Sequence, residues 1–198
     1  MSNKKDTNHK NHDLIPAVPL SLMEQVSSFE NLCLAFQECS RGKRSKKGYQ
    51  KYLFPYGEKL KGIEEELKAT QNFHWSGYRE FDVYEPKKRL VMAAPYRDRV
   101  LHTAMHRILF PIIDSKMGVR TFACRYEMGN HNAAFRLFQQ LRLMGKNRYC
   151  IKLDVRKYFE SIPHEKFLNR FLSLLPDRTL DPLLKSLIAS HLRYGSLK

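Results

Sequence analysis

The sequence predicts an α+β fold, rich in helices and carrying one small antiparallel sheet. Two observations carry this. Apolar residues recur at helical spacing in several long stretches, and two short runs of strand formers flank a single turn. With 198 residues, 42% of them hydrophobic, the chain can build a real core. Met1 to His12 is polar and charged and reads with its surroundings, residues 1–20, as a disordered tail.

Ser21, with Glu24 three residues on, is a capping-box signature. Val26, Phe29, Leu32, Cys33 and Phe36 then continue one helix toward Ser40 and Gly42. Arg41 to Gly48 follows, with Arg41, Lys43, Arg44, Lys46 and Lys47 and no acid, as a solvated loop or a contact to phosphates. A second helix spans about Lys59 to Thr70, with Leu60, Ile63 and Leu67 on one face. Phe81–Tyr84 and Arg89–Ala93 read as a hairpin with a basic tip. A long helix from about Arg97 to Ile113 carries Leu101, Ala104, Met105, Ile108, Leu109 and Ile112 inward. Thr121–Tyr126 reads as extended. A helix from about Asn132 to Met144 turns Ala133, Leu137, Phe138 and Leu141 inward. Tyr149–Asp154 reads as a strand ending in an acid. Helices follow from Pro163 to about Leu174 and from Asp177 to His191.

Lys and Arg number 35 against 20 Asp and Glu, a formal net charge of +15. Such a surplus points to a polyanionic partner, nucleic acid first. No run approaches the roughly 20 apolar residues that a membrane span needs, and no signal peptide stands out, so no membrane partner and a cytoplasmic location are expected. Cys33, Cys39, Cys124 and Cys150 form no CxxC pair and read as free, mostly buried thiols. His102 and His106, four apart, read as ordinary helix residues rather than a metal clamp.

The informative segment is Lys152-Leu-Asp-Val-Arg-Lys-Tyr-Phe-Glu-Ser-Ile162. A carboxylate at the end of an apolar strand needs a hydrogen bond, an ion pair or a metal. From spacing alone, Asp154 could bind a metal, cap the next helix, or pair with Lys152 or Arg156.

This segment resembles the first carboxylate motif of reverse-transcriptase palms. The resemblance implies that Asp154 binds catalytic magnesium, that Val155 lends a backbone carbonyl, and that Phe159 packs under the sugar of the incoming nucleotide. Upstream, Glu85-Pro-Lys-Lys-Arg-Leu-Val resembles the fingers hairpin that grips the triphosphate, which falls on Lys87 and Arg89, with Lys88 a substitute for Lys87. Pro95-Tyr-Arg-Asp-Arg-Val resembles the opening of the next fingers helix and brings in Arg97. Thr121-Phe-Ala-Cys-Arg125 with Gly129 and His131 resembles the template cradle, with Arg125 and His131 as contacts. The motifs fall in order over about Trp75 to His191. Within the family, the sequence is most similar to enzymes of diversity-generating retroelements, beside retron and group II intron enzymes, although Glu127-Met-Gly-Asn departs from that subgroup's pattern.

The resemblance implies the fingers and partial palm of a right-hand polymerase. Residues 21–145 would be an N-terminal extension and fingers, and 146–198 the first part of the palm. The expected function is RNA-directed DNA synthesis by two-metal nucleotidyl transfer, with Mg²⁺, an RNA template, a DNA or RNA primer, deoxynucleoside triphosphates and a small basic accessory protein. The family's Tyr-x-Asp-Asp motif has no counterpart, since no Asp-Asp pair occurs. The chain therefore reads as truncated and inactive alone. The alternative is a non-catalytic nucleic-acid-binding protein derived from such an enzyme.

Overall fold

The computed structural model describes residues 19–84, 86–146 and 149–195, except the side chains of 159, 160 and 192–195. Residues 1–18, Glu85, Asn147, Arg148 and 196–198 lie outside it, and with them most of the expected N-terminal tail. The described residues form a helix-rich α+β fold: α1 (Leu22–Ser27), α2 (Phe29–Ser40), α3 (Lys47–Leu53), α4 (Tyr56–Thr70), β1 (Arg79–Tyr84), β2 (Lys88–Ala93), α5 (Tyr96–Asp114), α6 (Gly129–Leu143), α7 (Tyr158–Ser161), α8 (His164–Leu172) and α9 (Asp181–Gly195).

The single helix expected from Ser21 to Ser40 is two. The capping box at Ser21 forms: the Glu24 N–H donates to Ser21 Oγ, and the Ser21 N–H donates to the Glu24 carboxylate at 2.8 Å. Ser28 then leaves the helical region (φ −59°, ψ 137°) and accepts from the Asn31 N–H at 3.2 Å, starting α2. Adjacent serines compete with helix propagation by hydrogen-bonding the backbone themselves, and here that competition wins. α1 is anchored from far along the chain. Its Leu22 N–H donates to Asp177 (2.9 Å) and its Met23 N–H to Thr179 Oγ1 (3.0 Å).

The core is an α-helical packing of α1, α2, α4 and α5, joined by the 172–184 region. α2 buries Leu32, Ala35, Phe36 and Cys39, the i, i+3, i+4, i+7 stripe of an amphipathic helix. α4 buries Leu60, Ile63 and Leu67 completely. α5 buries Val100, Leu101, Ala104, Met105 and Leu109, while Ile108 and Ile112 pack at its margin. Asn31, buried between these helices, donates to Val26 O and Ala104 O and accepts from Arg107 Nε at 3.0 Å; Arg107 also pairs with Glu38.

α3 was not expected; the basic block reads as loop, yet its last cation, Lys47, begins a helix. Aromatic packing explains it. Phe36 stacks on Tyr56 with centroids 4.9 Å apart and also meets Tyr49, Tyr52 and Tyr96, so α3 is pinned against α2 and α5. The hairpin forms as expected, antiparallel, with Arg79 opposite Ala93 and Tyr84 opposite Lys88. Gly77, at φ +84°, turns the chain into β1, a conformation that costs a glycine little.

Three expectations fail. Thr121–Tyr126 is a series of turns, with Cys124 and Glu127 at positive φ, not an extended piece. α6 forms but turns nothing inward; it has no buried residue, and Leu137 and Phe138 are more than half exposed. Tyr149–Asp154 forms no strand. The physical reason is shared by the last two. A strand exists only when a neighbour takes its hydrogen bonds, and an apolar helix face is buried only when another element covers it. Among the described residues the only sheet is β1–β2, and nothing covers α6. The thiols also differ from expectation: Cys39 is buried and Cys33 half-buried, but Cys124 and Cys150 are exposed.

Candidate nucleic-acid interface

An open groove runs where α3, the base of the hairpin and the start of α5 meet. Lys43 and Lys46 enter it from the loop after α2, and Lys47 and Lys51 from α3. Arg79 comes from β1, and Arg97 and Arg99 from α5. Tyr52, Phe81, Ala93, Pro95 and Tyr96 complete the walls, and no acidic side chain lines it among the described residues. Three separate stretches of sequence thus pool seven cations on one surface, between walls that are apolar and aromatic.

The walls are firmly held. The Tyr96 hydroxyl lies 2.6 Å from Ser40 Oγ. Asp98, buried on the inner side of α5, accepts from both the N–H (2.8 Å) and the Oγ (2.9 Å) of Ser76, which ties the approach to β1 onto α5. Burial pushes the phenol of Tyr52 up to about 12, and that of Tyr96 likewise up to about 12, so both remain neutral donors at physiological pH.

Of the cations expected to touch nucleic acid, Lys43, Lys46, Lys47 and Arg97 line this groove, while Arg41 and Arg44 are exposed on the same loop outside it. The sequence reading missed Lys51, Arg79 and Arg99, which lie outside the dense charge block and join it only through packing. Arg125 is taken up locally: its Nε donates to Asp114 at 2.6 Å, and its Nη1 to the carbonyls of Gly118 and Thr121. His131 is exposed on the first turn of α6.

Lys87 and Arg89 stand exposed toward the far end of the hairpin, beyond Phe81, the last residue of β1 that lines the groove. Between them Lys88 is tied to Asp82 at 3.0 Å, which leaves Lys87 and Arg89 as the tip's unpaired cations among the described residues. Asp154 and Val155 are exposed in a stretch without regular structure. Phe159 lies in α7, whose preceding residue, Lys157, adopts φ +51°; its side chain is outside the described set. The structure therefore brings Lys43, Lys46 and Lys47 of the basic block together with Arg97, and Asp154 is not among the residues that line their groove.

A two-magnesium site needs several carboxylate oxygens converging on one point. Among the described residues no three His, Cys, Asp or Glu side chains gather in that way. This holds for His102 and His106 as well. His102 is half-buried against Trp75, their rings stacked 5.1 Å apart, and desolvation holds its imidazole below the ordinary range. No described helix is long and apolar enough to cross a membrane.

No family model matches the chain. A stretch of 119 residues, 58% of the chain, is similar at 27% identity to the "COX1/OXI3 intron 1 protein" of Saccharomyces cerevisiae. The chain spans only 14% of that protein's length. The similarity to an intron protein is thus distant and partial.

Proposed function

We propose that this chain is a nucleic-acid-binding unit of reverse-transcriptase type, of intron or retroelement origin, whose working surface is the basic groove. The observation that carries the reading is the convergence of six cations other than Arg97 on one groove that no acidic side chain lines among the described residues. Six of the seven, all but Arg97, have no carboxylate partner among the described residues. Unpaired cations crowded together repel one another, and a polyanion relieves that repulsion while releasing its own counterions. Aromatic and apolar walls beside them suit the faces of unpaired bases, so the favoured ligand is a single-stranded RNA template.

The ordered motifs and the distant intron relative support placing the chain at the fingers and first palm segment of such a protein. In that frame Lys87 and Arg89 at the hairpin tip would meet the triphosphate of a deoxynucleotide. Phe159 would stand beneath its sugar. Asp154, with the Val155 carbonyl, would contribute one carboxylate to a magnesium site. Among the described residues no three His, Cys, Asp or Glu side chains gather into a metal-holding group, so binding is the activity proposed for this chain.

Binding of a fluorescent single-stranded RNA by the full chain, measured across a salt series, tests this. Affinity falls with salt at a log–log slope of about −0.7 for each phosphate engaged. Converting Lys43, Lys46, Lys47 and Lys51 to Gln is expected to flatten the slope by two or more contacts' worth. Converting the exposed Arg41 and Arg44 is expected to change it less. An unchanged slope in the four-lysine variant would refute the groove as the binding surface.

A further inference from the structure

The two arginines that α5 contributes to the groove differ in one respect: one is consumed by the fold and the other is not. Arg97 donates through Nη1 to the His74 carbonyl at 3.0 Å, pairs through Nη2 with Glu66, and lies 4.0 Å over the centroid of the Phe73 ring. Its charge is neutralised and its donors are directed into the protein, where they hold the 73–75 segment against α4. Arg99, half-buried two residues on, has no carboxylate and no hydrogen-bond acceptor for its guanidinium among the described residues. Its guanidinium carbon sits 5.0 Å from the centroid of Tyr96, and its Nη2 would lie 3.8 Å from a Cβ placed on Gly48. The side chain is thus held between the Tyr96 ring and α3, and that ring is in turn fixed by the hydroxyl contact to Ser40. Its Nε is sealed from water and has no partner.

An arginine cannot shed its proton to escape such a position, and a buried donor without an acceptor is costly. With Nε closed off, the two Nη groups are the end of the fork left toward the groove that Arg99 lines, and an oxyanion there can be taken by the planar fork. Lys47 and Lys51, on the neighbouring α3, add charge to the same groove. We infer that Arg99 is the phosphate anchor of the groove, seating one internal phosphodiester of a bound strand, and that Arg97 acts only by positioning the wall behind it. The inference rests on the groove being the nucleic-acid surface. It refines that reading, because it predicts unequal roles for two arginines two residues apart.

The test uses the full chain, a single-stranded RNA lacking terminal phosphates, and ATP as a competing source of phosphate. Arg99→Gln is expected to weaken RNA binding roughly tenfold and to flatten the salt slope by about one phosphate, 0.7. Arg99→Lys keeps the charge but not the fork, so it should restore the slope and only part of the affinity. Arg97→Gln should lower the melting temperature and leave the slope unchanged. ATP at millimolar concentration should not displace the RNA from the wild-type protein. If Arg99→Gln binds like wild type while the four-lysine variant loses affinity, the anchor is wrong and the groove stands. If Arg97→Gln flattens the slope as much as Arg99→Gln, the division between the two arginines is overturned. Displacement by ATP that depends on Arg99 would make the seated phosphate that of a nucleotide, which also overturns the inference. If neither Arg99→Gln nor the four-lysine variant alters binding, the groove reading falls and this inference with it.

Discussion

Asp98 offers a sharp test of how the groove is built. It is 3% exposed, and its two carboxylate oxygens accept from the Ser76 N–H and Ser76 Oγ at 2.8 and 2.9 Å. Asp98→Ala removes two charge-assisted hydrogen bonds and leaves a backbone N–H without an acceptor. Hydrogen bonds to charged groups are each worth about 1.5–3 kcal/mol, and part of that returns because a buried charge is also removed. A net loss of about 3 kcal/mol is expected. For a chain of this size each kcal/mol lowers Tm by roughly 2–4 °C, so the transition should fall by about 6–12 °C. Asp98→Asn keeps one oxygen acceptor, and the serine hydroxyl can rotate to accept from the new amide, so about half that loss is expected. Differential scanning calorimetry of the three proteins reads this directly. RNA affinity gives an independent check, since removing an acid beside Arg97 and Arg99 makes the groove more positive. Any fall in affinity must then come from a displaced hairpin base rather than from charge. A change in Tm below about 1 °C for the Ala variant, or equal losses for Ala and Asn, would refute the claim that two-oxygen acceptance at Ser76 holds the hairpin to α5.

Two further expectations concern stability. Gly62 lies in the middle of α4 with nothing within 4 Å of where a Cβ would stand, so Gly62→Ala should stabilise the fold by about 0.5–1 kcal/mol, seen as a raised denaturation midpoint. Asp177 anchors α1 through the Leu22 N–H. Burial pushes its carboxyl up, but hydrogen bonds from Thr179 and from the Leu22 N–H outweigh this and hold it below the usual range. A carboxyl lowered in the folded state stabilises above its unfolded pKa and loses that contribution as pH falls through the folded value. Asp177→Ala should therefore cost about 1 kcal/mol at pH 7 and progressively less as the pH falls into the acid range. A penalty that persists undiminished at pH 2 would show that the anchoring does not depend on the carboxylate.

Local structure was largely legible along the chain, and its failures are instructive. The Ser21–Glu24 capping box, the stripe Leu60, Ile63, Leu67, the hairpin around Pro86 and Lys87, and the apolar face of α5 are all written in short-range spacing. Spacing of that kind reports what a segment can do by itself. It does not report whether a neighbour exists. Tyr149–Asp154 alternates like a strand and α6 is patterned like a core helix, yet one has no strand beside it and the other no covering face among the described residues. The break at Ser28 turned on a side-chain hydrogen bond that competes with the helix by a small margin, which spacing does not weigh.

The sequence by itself determined the charge: a surplus of fifteen positive charges is independent of folding. It also located the densest block of that charge, from Arg41 to Lys47. Only the tertiary structure decided which cations act together. Arg97 and Arg99 are equal in sequence, but Glu66, thirty-one residues from Arg97, pairs with it, while Arg99 has no carboxylate partner among the described residues. Electrostatic partnership depends on distance in space, and packing α3, β1 and α5 around the aromatic cluster at Phe36 sets those distances.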